Sequence, residues 1–127
     1  MGKGVSVPVG DVFTSACPGR MIVENLTSRW MTLILAALRD GTLRFYELRD
    51  KVDGISEKVL TQKLRILVRD GLVERTVEPS TPPKVSYTLT ELGCSVMRPL
   101  GDLVRWIEDN GSAVLAAQDR HDREHAG

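Results

Sequence analysis

Residues 54 to 93, GISEKVLTQKLRILVRDGLVERTVEPSTPPKVSYTLTELG, constrain the fold more than any other stretch of the chain. Leu60, Leu64 and Leu67 recur at i, i+4 and i+7, the spacing of one buried helical stripe. Ser56 stands ahead of them as an N-cap, and Glu57 places negative charge in the first turn, where the helix dipole favours it. Gly71 stops the helix after about Asp70. Two short runs follow, Leu72 to Glu78 and Lys84 to Leu89, joined by a Pro-rich loop from Pro79 to Pro83. Within them Val73, Val77, Val85, Tyr87 and Leu89 alternate with polar residues, as a hairpin with one buried side requires. A helix followed directly by a hairpin with basic residues suits a DNA duplex, since one fits the major groove and the other lies along the backbone.

The remaining elements can be read the same way. Residues 1–12, MGKGVSVPVGDV, hold three Gly and one Pro without helical periodicity, and read as a flexible N-terminal arm. Cys17-Pro18 opens a short helix, because Pro is favoured at the first helical position; Met21, Ile22 and Leu26 give it an apolar side. Thr27 or Ser28 is expected to cap a second helix reaching about Arg39, with Trp30, Leu33, Ile34, Ala37 and Leu38 turned to the core. Leu43 to Phe45 can form a very short strand, and Phe45 to Val52 a helix with Phe45, Leu48 and Val52 inward. Thr90 caps a long helix to about Asn110, striped by Leu92, Val96, Leu100, Leu103 and Ile107 and bent at Pro99. After Gly111, Ala113 to Ala117 are expected to be helical and the terminal DRHDREHAG frayed.

That order predicts a winged helix-turn-helix, mainly α with a small antiparallel β wing. The expected organisation is an arm over residues 1–12, a winged helix-turn-helix domain with its dimerisation helices over 13–110, and a tail over 111–127. A chain of 127 residues supports one core of this size. The long helix, with Val104 and Trp106 added to its stripe, carries more apolar surface than one small domain needs. The sequence therefore predicts a two-fold dimer through the first and last helices.

Composition limits the function. Seventeen basic residues balance seventeen acidic ones, which excludes a nonspecific polycation but not locally arranged charge. No apolar run approaches the roughly 20 residues that span a bilayer, and no signal-peptide pattern opens the chain, so a cytoplasmic protein without membrane association is expected. There is no Gly-rich phosphate loop and no nucleophile–base spacing, which speaks against an enzyme, and no motif calls for a cofactor. His121 and His125 share a helical face but lack a third ligand for a metal.

On a helical wheel at about 100 degrees per residue, Leu60, Leu64 and Leu67 form one side. Lys58, Thr61, Gln62, Arg65 and Arg69 fall opposite, between roughly 100 and 200 degrees from Leu60. Such a face is ordinarily just solvated, but here a helix precedes it and a hairpin follows it. Arg and Lys pair with guanine, Gln with adenine, and the Thr methyl with thymine. Lys58, Thr61, Gln62 and Arg65 are therefore read as base contacts, because the N-terminal part of a recognition helix meets base edges. Arg69, Ser56, Arg75 and Lys84 are assigned to phosphate, and Arg44, Arg49 and Lys51 rank behind them.

The run RWMTLILAALRDGTLRFYELRDKVDGISEKVLTQKLRILVRDGLVERTVEPSTPPKVSYTLTELG, with Cys17-Pro18 ahead of it, resembles the HxlR-type winged-helix transcriptional regulators over about residues 16 to 107. The resemblance implies a homodimer on a palindromic operator, acting as a repressor of neighbouring genes. It also implies that the Cys before the first helix senses oxidants, quinones or other electrophiles, as in the QorR-like members. From the residues themselves, Cys17 stands at a helix N-terminus, where the dipole favours thiolate, with Arg20 one turn on. The bland alternative is a small residue packing the arm onto the dimer. The only other thiol, Cys94, is expected to be buried packing. Two further readings stay open: a winged helix used as a protein-interaction module, and a non-redox regulator answering to a small-molecule ligand.

Overall fold

A computed structural model describes residues 9–126. Among them the chain runs α1 (Pro18–Leu26), α2 (Met31–Ala37), β1 (Leu43–Arg44), α3 (Phe45–Lys51), α4 (Glu57–Arg69), β2 (Val73–Glu78), β3 (Lys84–Leu89) and α5 (Glu91–Glu124). The strands form one antiparallel sheet in the order β1-β3-β2, with Leu43 opposite Tyr87, Val73 opposite Leu89 and Glu78 opposite Lys84. This is the winged helix-turn-helix expected from the sequence: α3 and α4 make the helix-turn-helix, and the β2–β3 hairpin is the wing. The first eight residues of the expected arm lie outside the described residues.

Local chemistry fixes α4 at both ends. The Ser56 hydroxyl accepts the Val59 N–H at 3.1 Å, a cap that contributes about 1 kcal/mol. At the other end Gly71 takes φ +76°, the left-handed conformation that glycine adopts without penalty. The N–H groups of Gly71 and Leu72 then donate to the carbonyls of Val68 and Leu67, at 3.1 and 3.0 Å. That pairing is a Schellman motif, and Leu67 and Leu72 are both buried beside it. The chain thus leaves α4 in a set direction and enters β2 with Val73 in the core.

The stripe of Leu60, Leu64 and Leu67 is fully buried, with Ile34, Leu35, Leu38 and Leu48 from α2 and α3 and Met97 and Leu100 from α5. α5 is bound to the same corner at its N-terminus. Thr90 caps it by accepting the Gly93 N–H at 3.1 Å, while its own hydroxyl donates to the Gly71 carbonyl at 2.6 Å. Gly93 lies so close to the start of β2 that a Cβ there would stand 2.1 Å from the Leu72 carbonyl oxygen.

Several local expectations are corrected. Thr27 and Ser28 do not cap α2: their hydroxyls donate to the carbonyls of Val23 and Asn25 at 2.7 and 2.8 Å, closing α1 instead. α2 starts at Met31 with Trp30 as its N-cap residue, so Met31 and Leu35 turn inward and Leu33 turns out. Val77 is exposed because the wing extends beyond the core there, whereas the exposure of Leu92, Leu103 and Ile107 on α5 is the surplus apolar surface expected of that helix. The long helix does not close at Asn110 but continues to Glu124. A mid-helix glycine costs only about 1 kcal/mol relative to alanine, and the good helix formers after Gly111 carry the helix across it.

Candidate nucleic-acid interface

The outer face of α4 and the inner face of the wing enclose a groove of about 1090 Å³. Thr61, Arg65 and Arg69 line it from α4, Arg75 and Lys84 from the hairpin, and Arg44 from the end of β1. The pairing of β1 with β3, Arg44 opposite Ser86, brings Arg44 there. Five basic side chains thus line the groove and no acidic one does. Among the described residues none of the five is in an ion pair; Glu78, across the hairpin from Lys84, closes none with it. A chain with zero net charge therefore carries a local concentration of positive charge, which draws polyanions to this face.

The expected site residues divide accordingly. Thr61, Arg65, Arg69, Arg75 and Lys84 converge on the groove. Lys58 and Gln62 are exposed on the far edge of the same α4 face and lie outside it. The oxygen of Ser56 caps the helix, which leaves its hydroxyl hydrogen free to donate outward. The weaker candidates of α3 and its approach also separate. Arg44 belongs to the groove, a placement that only the β1–β3 pairing reveals. Arg49 is engaged elsewhere: it pairs with Glu57 at 2.6 Å and with Asp50 at 3.4 Å, and it lies over the Tyr46 ring at 4.8 Å. The hydrogen bond to Glu57 raises the guanidinium above its ordinary range. Lys51 donates to the Ala37 carbonyl at 3.4 Å and so closes α2. Arg49 and Lys51 hold α3 against α4 and α2, which fixes the angle at which α4 is presented.

Cys17 is the N-cap residue of α1 and is half-buried. Its thiol donates to the Val9 carbonyl at 2.9 Å, and Val9 and Val12 pack over Gly19, where a Cβ would approach Val9 to 2.5 Å. Cys94, expected to be buried, is exposed. The reason is its neighbour: Gly93 takes the buried position against Leu72, and the next residue on a helix points about 100 degrees away. His121 and His125 stack on each other at 4.1 Å, and no group of three potential metal ligands occurs among the described residues. No helix among these residues is long and apolar enough to cross a membrane.

Comparison with known proteins agrees with this geometry. Residues 25–114 match the HxlR-like helix-turn-helix family. The chain is 47% identical over 110 residues to the uncharacterized HTH-type transcriptional regulator YtfH of Escherichia coli (strain K12), covering 87% of each chain. Among solved structures, the putative transcriptional regulator ytfH from Salmonella typhimurium superposes with a TM-score of 0.82 at 47% identity, over 87% of this chain and 98% of that one. The diamide-treated form of YodB from B. subtilis superposes with a TM-score of 0.63 at 36% identity, over 76% and 96%. The chain belongs to the HxlR-like helix-turn-helix family, and it is a transcriptional regulator with a winged helix-turn-helix DNA-binding domain.

Proposed function

We propose that the protein is a cytoplasmic repressor that binds a palindromic DNA operator as a homodimer and is released when Cys17 is oxidised or alkylated. The observation that carries the DNA-binding part is the groove in which Arg44, Arg65, Arg69, Arg75 and Lys84 converge with no acid among them. In this reading α4 enters the major groove with Lys58, Thr61, Gln62 and Arg65 toward base edges. Ser56, Arg69, Arg75 and Lys84 hold the phosphates on either side. The test is a gel shift of duplex DNA from the intergenic region beside the gene. Affinity should fall steeply and linearly on a log–log scale with salt, at a slope near −0.9 per phosphate neutralised. Binding that ignores salt, or binding only to another protein, would remove the assignment.

The dimer is supported by apolar surface that the domain leaves uncovered. Met21 and Ile22 on α1 are 63% and 47% exposed, and Leu103, Trp106 and Ile107 on α5 are 45%, 53% and 51% exposed. Surface of this kind marks an interface, and a two-fold axis through these helices would set two copies of α4 about one DNA turn (~34 Å) apart. Trp106→Glu should halve the mass seen by analytical ultracentrifugation at micromolar concentration. An unchanged dimer would move the interface elsewhere.

The release step is supported by the position of Cys17, whose thiol ties Val9 to the start of α1. YodB, with which the chain superposes, is known in both a reduced and a diamide-treated form. Any modification of the sulfur removes the S–H donor and frees the Val9 carbonyl, beside the helix that would form part of the dimer interface. Where two Cys17 thiols of a dimer join, two protons and two electrons pass to diamide, which becomes the hydrazine, and one S–S bond forms. Diamide or a quinone should weaken operator binding by at least about tenfold, roughly 1.4 kcal/mol, in the wild type and in Cys94→Ser but not in Cys17→Ser. The Cys94→Ser control is needed because that thiol is exposed. Equal loss in Cys17→Ser would take Cys17 out of the mechanism, and a non-reducing gel separates an intersubunit disulfide from sulfenate or alkylation.

A further inference from the structure

The groove between α4 and the wing has a floor that a DNA backbone does not use. Its rim is cationic, but Leu64 and Tyr87 at its base are 2% and 7% exposed, and Phe45 and Val85 beside them are half-buried. Val68 and Pro82 complete the apolar walls from the helix and the wing loop. Phosphate oxygens take hydrogen bonds from the rim and gain nothing from hydrocarbon beneath it. An apolar base with a few converging polar groups is instead the build of a small-molecule site, and the groove's size is close to the roughly 300–1,000 Å³ of such sites.

We propose that this groove binds a small organic anion with an apolar body, an arylcarboxylate by chemical class. The ring lies on Phe45, Val68 and Val85, and the carboxylate is held by the guanidinium groups above it. Arginine suits a carboxylate because two parallel N–H donors match its two oxygens. Arg65, Arg69 and Arg75 are free for this, having no ion-pair partner among the described residues. The charge complementarity is one-sided, since no acid lines the groove to repel the ligand. Bound acid and bound DNA would need the same Arg65 and Arg69, so each excludes the other. That consequence rests on the DNA-binding reading given above, whereas the anion site itself does not.

The probes are 1-naphthoate, acetate and 1-naphthylmethanol, titrated into the full chain by calorimetry at fixed ionic strength. Naphthoate should bind at least about tenfold tighter than either of the others, because it alone uses both rim and floor. Val68→Trp, which crowds the apolar wall without changing charge, should weaken naphthoate at least about tenfold. Thr81→Glu, on the exposed wing loop, should weaken it as well and does not depend on the core. Naphthoate no tighter than acetate overturns the proposal, as does wild-type affinity in both variants. A protein that discriminates among the probes yet binds no duplex DNA supports the anion site and overturns the DNA reading. One that binds duplex DNA and discriminates nothing overturns the anion site alone.

Discussion

Replacing Arg65 and Arg69 together with alanine should lower affinity for the operator about 30- to 20,000-fold, from about 1–3 kcal/mol per contact and tenfold per 1.4 kcal/mol. Both side chains line the groove, and neither is held in an ion pair among the described residues, so their removal takes donors from the ligand and not from the fold. Alanine is the best helix former, which keeps α4 intact. The one structural cost is at Arg69, whose charge in the last turn complements the helix dipole by roughly 0.3–1 kcal/mol. Thermal melting should therefore move by a few degrees at most while the gel shift collapses. The two positions should also differ in kind. Arg65→Ala should relax sequence preference, as loss of a base contact does, whereas Arg69→Ala should weaken all duplexes alike and make the salt slope shallower by about one. Wild-type affinity in the double variant at matched salt would mean that α4 is not the reading element.

The second large effect concerns stability. Gly93→Ala should destabilise the protein by about 2–3 kcal/mol, in the range of overpacked cores, although the same change inside an ordinary helix is favourable by up to about 1 kcal/mol. The new Cβ would meet the Leu72 oxygen at 2.1 Å and the Leu89 Cδ2 at 3.2 Å. The first of these is backbone, which cannot swing aside. Gly111, in the same helix, has nothing within 4 Å of its Cβ position, so Gly111→Ala should stabilise the protein. Two identical substitutions, 18 residues apart on one helix, are thus expected to have opposite signs. Thermal denaturation of both variants beside the wild type reads this directly. A melting temperature for Gly93→Ala at or above the wild-type value would mean that α5 can slide away from β2 at little cost.

Features governed by short-range chemistry were legible in the sequence. Ser56, the stripe of Leu60, Leu64 and Leu67, and Gly71 define α4 through contacts within a few residues, and the helix forms as they require. The alternation in β2 and β3 likewise places Val73 and Tyr87 in the core. What sequence reading missed was decided by distant partners. Thr27 and Ser28 can close one helix or start the next with the same hydroxyl, and the packing of α1 on α2 selects the former. Cys94 has the composition of a buried residue, yet the approach of Gly93 to Leu72 turns it to solvent. The candidate site was half legible. The wheel isolates the polar face of α4, but Arg44 reaches the groove only because β1 joins β3, a pairing with no local signature. The same pattern could not separate Arg49, whose charge is spent on Glu57, from Arg44, whose charge is not.

The unbroken course of α5 from Glu91 to Glu124 has a mechanical consequence. At 1.5 Å per residue the helix is about 50 Å long. Its first three turns are held, by Thr90 to the Gly71 carbonyl, by the close approach of Gly93 to Leu72 where the wing begins, and by the burial of Met97, Leu100 and Gly101. The stretch from Gly101 to Glu124, about 35 Å long, is a lever: a tilt of about 5 degrees where it leaves the core displaces the far end by roughly 3 Å. The wing and the held end of α5 meet at Leu72, so a shift of either is felt by the other.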